Sequence, residues 1–172
     1  MSAHPDVIAA LYRLGLEYEV MDCDPALADT AEFCAAYGVP LEESANAILI
    51  ASKKPPGRYV VCVALAHTRL DVNGAVRRKL GVSKVSFAPA DTTREITGQE
   101  IGGVTIFGLP DGLEVWLDAR VRECSRVIVG AGSRSAKISL DPRQLDGVPG
   151  FEFVADLAQA PPNPAEGSGR GG

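Results

Sequence analysis

The chain has few of the residues on which most enzymes build their chemistry. Its 172 residues include two histidines, His4 and His67, two methionines and one tryptophan. His4 lies close to the N-terminus and His67 at a strand end beside Thr68 and Arg69, so serine or cysteine catalysis has no base partner in view. No Gly-x-Ser-x-Gly elbow occurs, and Gly102-Gly103-Val104-Thr105 lacks the Gly-Lys-Ser/Thr ending of a Walker loop. The four cysteines, Cys23, Cys34, Cys62 and Cys124, make no Cys-x-x-Cys pair and have no histidine at zinc-ligand spacing, which argues against a metal site. Cys34 and Cys62 sit among apolar residues and read as small core fillers. No apolar run nears the roughly 20 residues that span a bilayer. The N-terminus enters an amphipathic helix pattern directly instead of a signal peptide. The expectation is a chain without metal or cofactor, in a reducing cytoplasm, with neither membrane nor DNA as partner.

What is present describes one globular domain: 46% hydrophobic and 23% charged residues, enough for a core without staples. The net charge of −5 argues against nucleic-acid binding through bulk charge. Arg69, Arg77, Arg78, Lys79 and Lys84 nevertheless cluster, either as a solvated helix face or as a basic patch.

Apolar spacing predicts a helix over Val7 to Leu14 closed by Gly15, and a short strand over Tyr18 to Met21. Asp29 with Glu32 reads as a capping box for a helix over Ala31 to Tyr37 that Gly38 ends. Ala45 to Ala51 and Tyr59 to Ala66 form a hairpin around a Lys53–Arg58 turn. Asp71 caps a helix over Val72 to Leu80, Val85 to Phe87 is a brief strand, and Thr92 with Glu95 suggests a second capping box. Strands follow at Leu113 to Leu117, Arg126 to Val129, Ala136 to Leu140 and Phe151 to Val154, with a helical turn at Asp141-Pro142. The domain is expected over 1–158. A disordered tail is expected over 159–172, where proline, glycine, asparagine and serine dominate.

Two glycine stretches adjoin these strands, Gly102-Gly103-Val104-Thr105-Ile106-Phe107-Gly108 and Gly130-Ala131-Gly132-Ser133-Arg134-Ser135-Ala136-Lys137. They are either two tight turns or two sides of a ligand cleft in which the main chain is the recognition surface. Asn46 interrupts an apolar strand, so its amide needs a partner, either a neighbouring loop or a ligand. Lys137 is either a surface lysine or a cation aimed into the same cleft.

The order of these landmarks resembles the YbaK/ProX family of aminoacyl-tRNA editing domains. The resemblance runs through Thr30-Ala31-Glu32, the Ala45 to Ile50 strand, Arg69-Leu70-Asp71 and Val85-Ser86-Phe87-Ala88. It continues through Thr97-Gly98, Gly102-Gly103-Val104, Phe107-Gly108, Gly130-Ala131-Gly132 and Lys137-Ile138, covering roughly residues 5 to 156. It implies an α/β domain with a strongly curved, barrel-like mixed sheet flanked by helices. It also implies metal-independent hydrolysis of the ester between a wrong amino acid and the 3′ adenosine of tRNA. The partners it implies are the aminoacyl-tRNA acceptor end and a synthetase. In the family, a lysine on the early strand binds near the ester or terminal phosphate, and the vicinal ribose hydroxyl helps activate water.

The chain departs from that pattern at two places. Asn46 occupies the lysine slot, and Ile106 stands where the glycine loop usually carries proline. Asn46 and Lys137 are the expected catalytic residues. Gly102, Gly103, Val104, Thr105, Ile106, Gly130 and Gly132 are expected to bind substrate, and Arg69, Arg77, Arg78 and Lys79 to touch tRNA. The rival expectation is a catalytically silent tRNA- or protein-binding module on the same scaffold. A nucleotide or metabolite binder is disfavoured because no acidic ribose reader follows either loop at dinucleotide-fold spacing.

Overall fold

In the computed structural model, which describes residues 3–160, the chain opens with α1 (Pro5–Leu14). Its Val7, Ala10 and Leu11 are buried, and it stops at a left-handed Gly15 as the spacing predicts. β1 (Glu19–Asp22) and a 3-10 turn (Pro25–Leu27) lead to α2 (Thr30–Tyr37). β2 (Ala45–Lys54) and β3 (Pro56–Leu65) form the expected hairpin, in register from Ala45↔Leu65 to Lys53↔Pro56. β4 (Arg69–Leu70) precedes a π-helical turn (Val72–Val76) that continues as α3 (Arg77–Leu80). The Asp71 carboxylate caps that turn, accepting from the Gly74 and Ala75 N–H groups. Then come β5 (Lys84–Phe87), α4 (Ala90–Thr97), β6 (Glu114–Asp118), α5 (Ala119–Arg122), β7 (Val127–Gly130) and β8 (Ala136–Leu140). A 3-10 turn (Pro142–Leu145), β9 (Phe151–Val154) and β10 (Ala158–Gln159) complete the order.

Hydrogen bonding sorts the strands into a five-stranded mixed sheet, β5-β2-β3-β6-β9, a three-stranded sheet, β1-β8-β7, and a β10-β4 pair. In the large sheet β3, β6 and β9 run parallel, whereas β2 is antiparallel to both of its neighbours. A single parallel bridge, Ser44↔Ile128, links it to the three-stranded sheet. Among the described residues the pairing does not close into a barrel; the mixed sheet flanked by helices is as expected from the resemblance. Both faces of the large sheet are covered. Leu49, Val61, Val63 and Leu117 pack with α1 and β7–β8 on one side, and Ile50, Val60, Cys62 and Trp116 with the α3 region on the other. That double burial is why β2 and β3 read as nearly unbroken apolar runs.

Both expected capping boxes are absent. α4 starts earlier, at Ala90 behind Pro89, which leaves Thr92 and Glu95 inside the helix. At α2 the Asp29 side chain makes no cap bond and instead pairs with Arg134 at 3.2 Å. The tail boundary also moves: Gln159 pairs with Arg69 in the β10–β4 ladder, and the rest of the expected tail, Pro161–Gly172, lies outside the described residues. Among the described residues no helix is long and apolar enough to cross a membrane.

Candidate active site

β2 changes neighbours along its length, and the change opens a cavity. Its C-terminal half pairs with β5, from Ile50↔Phe87 onward, while Ser44 at its start bridges to β7. Alternate residues of a strand point their N–H and C=O groups to opposite edges. The Leu49 carbonyl accepts from the Ala88 N–H on the β5 side, so Ala47 presents both its backbone groups to that same edge. Among the described residues no strand pairs with Ala47 on that edge. The gap is a cavity of about 230 Å³, walled by Ala28, Ala45, Ala47 and Ala88, whose small side chains leave the volume open. Asn46, Thr30, Gly102, Val104, Gly130 and Lys137 also line it.

Asn46 turns to the opposite face of β2 from Ala45 and Leu49, which enter the core beside α1. Its Oδ1 accepts from the Thr30 hydroxyl at the start of α2. That bond fixes the amide plane, and among the described residues its NH2 group has no protein partner beside the cavity. Thr30 also opens α2, whose first N–H groups have no cap because Asp29 is turned away. Ala28, Asp29 and Thr30 lie on the cavity wall, so this end of the helix favours negative charge there.

Lys137 points inward. It is 7% exposed, and its Nζ donates to the Ala28 carbonyl at 2.7 Å and the Gly102 carbonyl at 3.2 Å. It also lies 5.4 Å from the centre of the Phe33 ring. One ammonium thus ties the approach to α2 to the first glycine stretch. Burial holds Lys137 below the ordinary lysine value; Arg134 pushes the same way, while Cys23, Asp29 and Cys34 oppose it.

The two glycine stretches pack against each other. The Gly132 N–H donates to the Gly103 carbonyl at 2.7 Å. A Cβ on Gly130 would meet the Val104 carbonyl oxygen at 2.4 Å, and one on Gly103 would meet the Ser133 carbonyl oxygen at 2.5 Å. Main chain therefore abuts main chain, and the pair forms one wall of the cavity instead of two opposed sides. Gly130→Ala is expected to push this wall outward, destabilising the protein by about 1–3 kcal/mol and raising KM; thermal unfolding and steady-state kinetics check it.

Not all the expected substrate-binding residues reach the cavity. Thr105 and Ile106 are 0% and 2% exposed and point away from it. Ile106 joins the main core and, with Phe107, lines a separate groove beside α1. Gly132 packs against His4 and Val7, and Gly103 is shielded by Ser133. The loop is braced from behind by Gln99, which accepts from the Thr105 N–H and donates to the Phe107 carbonyl, both at 2.8 Å. The residue that sequence reasoning missed is Arg134. It donates to the Pro25 and Ile101 carbonyls at 3.0 Å each while pairing with Asp29, so it joins three segments around the cavity. Its place inside the second glycine stretch was the available signal.

The expected tRNA-contacting residues lie apart from the cavity. Lys79 pairs with Glu152 at 2.8 Å and covers the Trp116 ring, and the Arg77 Nε donates to the Asn73 carbonyl. Arg69 and Arg78 are exposed. Among the described residues no group of three histidine, cysteine, aspartate or glutamate side chains converges as a metal site would require.

The aminoacyl-tRNA editing domain matches residues 24–147, a span that contains every residue lining the cavity. YwhH of Bacillus subtilis (strain 168), an uncharacterised protein, is 29% identical over 129 residues, covering 75% of this chain and 80% of that protein. The crystal structure of the hypothetical protein APE2540 superposes with a TM-score of 0.79 at 25% identity, covering 90% of this chain and 99% of that one. A candidate trans-editing enzyme for prolyl tRNA synthetase has the same fold, with a TM-score of 0.76 at 21% identity over 92% of this chain and 99% of that one. With the match spanning most of its length, the chain belongs to the aminoacyl-tRNA editing domain family.

Proposed function

We propose that this protein is a trans-editing deacylase of the cytoplasm. It hydrolyses the ester between a mismatched amino acid and the terminal adenosine of tRNA, without a metal ion, and uses Asn46 where relatives of the YbaK/ProX type carry lysine. The observation that carries the reading is the convergence of Asn46 and Lys137 on one small cavity beside the uncapped start of α2.

In this mechanism the aminoacyl group enters between the alanines of β2 and the Gly102–Val104 wall. Water forms a bond to the ester carbonyl carbon, assisted by the vicinal ribose hydroxyl of the substrate. Charge grows on the carbonyl oxygen, and the Asn46 amide N–H donates to it from a position fixed by Thr30. Breakage of the carbon–oxygen bond releases the free amino acid, and the ribose 3′ oxygen takes up a proton. Lys137 supplies the positive charge that Asn46 lacks and keeps the helix start and the glycine wall at a fixed separation. An ester is an intrinsically labile bond, so positioning and modest charge stabilisation suffice.

The test is a panel of mischarged tRNAs incubated with the purified full chain. Hydrolysis of one or two of these esters well above the spontaneous rate is expected. A specific observation favours the rival binding-module reading: position 46 carries no charge. Turnover of no ester with tRNA binding intact would establish that rival.

A further inference from the structure

The protein's cations are divided unevenly, and the fold places several of those without a carboxylate partner on and beside one edge strand that leads from the cavity. Between Ser44 and Ala90 the chain carries eight basic residues and one acidic residue, Asp71, although its net charge is −5. Asp71 commits its carboxylate to capping Gly74 and Ala75. Elsewhere among the described residues every arginine except Arg13 pairs with a carboxylate. Inside the basic stretch only Lys79 does so.

The β2–β3 hairpin brings residues distant in sequence to the same place. Lys54 pairs in register with Lys84 of β5, and the Ser83 N–H donates to the Lys54 carbonyl. Arg58 is anchored on the Leu80 carbonyl at the end of α3, the short helix that also carries Arg78. Lys53, Lys54, Lys84 and Arg78 are exposed and have no carboxylate partner among the described residues. β5 joins this cluster to the cavity: the next residue after it, Ala88, lines the cavity wall, and Phe87 is 57% exposed. From Phe87 back to Lys84 the strand spans about 10 Å. A cavity, an exposed aromatic ring and a group of uncompensated cations thus follow one another along an edge strand. Stacking surfaces followed by cations are what a single-stranded nucleic acid end requires.

We propose that β5 and the β2–β3 hairpin form the track for the RNA strand leading to the esterified nucleotide. Phe87 stacks on a base, and Lys84, Lys54 and Lys53, with Arg78, hold the phosphates. The proposal rests on the deacylase reading only for the orientation of the strand.

The test is fluorescence anisotropy with an uncharged RNA stem bearing a short single-stranded 3′ end, titrated across a range of salt concentrations. Lys54→Ala combined with Lys84→Ala is expected to reduce the salt slope by about 1–2. Phe87→Ala is expected to weaken binding about tenfold, with Phe87→Tyr restoring it. A blunt-ended stem should bind more weakly, and Arg13→Ala should change nothing. Wild-type affinity and slope in the Lys54/Lys84 and Phe87 variants, or an equal loss in Arg13→Ala, would overturn the track. Hydrolysis of an aminoacyl ester of adenosine alone reads the cavity separately. Its failure beside track-dependent RNA binding would sink the deacylase reading and leave the track standing.

Discussion

Lys137→Met is expected to slow deacylation by about 10²–10³-fold while leaving the fold intact. The side chain is nearly isosteric, so the packing over Phe33 is kept. The variant loses the ammonium and the brace between the Ala28 and Gly102 carbonyls. Stability should change little, because removing a buried charge offsets the two carbonyls left without that donor. A circular dichroism spectrum and a melting curve close to those of the wild type, beside the lost activity, would separate chemistry from scaffold.

The same residue sets a pH signature. Burial holds the Lys137 ammonium below the ordinary 10.5 in the folded protein. The unfolded chain therefore binds this proton more tightly. Between the lowered value and 10.5 unfolding takes up a proton, and stability rises with pH across that window. Cys62 works the other way: burial raises its thiol from 9.0 to about 12, so its contribution is full below 9.0 and is lost as pH climbs toward 12. The difference between wild-type and Lys137→Met melting curves isolates the lysine, and that difference should grow in favour of the wild type as pH rises toward 10.5. Catalysis should move in the opposite direction. Once the ammonium deprotonates its charge is gone, so the rate advantage over spontaneous hydrolysis should decline through the lowered pKa.

Asn46→Ala is the second large effect, again about 10²–10³-fold in kcat with a smaller change in KM. In the proposed mechanism the amide donates where charge develops, so its loss should be felt in the transition state more than in binding. Asn46→Lys carries separate information. If position 46 alone once supplied the cation, the lysine variant should keep or exceed native activity. If Lys137 has taken over that role, a second ammonium in the same small cavity should lower activity through like-charge repulsion. Thr30→Val should show part of the Asn46→Ala defect, since the hydroxyl holds the amide plane.

Much of the scaffold was legible because its signals are local. β2 and β3 announced themselves through apolar runs of the kind a doubly covered sheet produces, and left-handed glycines such as Gly38 and Gly81 marked helix ends. The failures came where a distant residue competes with a local one. Asp29 has the spacing of a cap, but Arg134, more than a hundred positions away, takes its carboxylate. Nothing in the spacing around Lys137 says that it turns inward; that depends on two carbonyls, of Ala28 and Gly102, brought in by other segments. Thr105 and Ile106 fell on a loop whose neighbours line the cavity, yet Gln99 clamps the chain there so that they face the core. The basic track was half visible for the same reason. Lys84 was in the cluster read from sequence, but Lys54 joins it only across the β2–β5 ladder.

The most direct measurement is single-turnover hydrolysis of the fastest-cleaved mischarged tRNA by the wild type, Asn46→Ala and Lys137→Met side by side. The cavity account predicts rapid release of the amino acid by the wild type and a loss of about two orders of magnitude in each variant, with all three proteins folded. Equal rates in all three would show that the ester is cleaved without these residues and contradict the account.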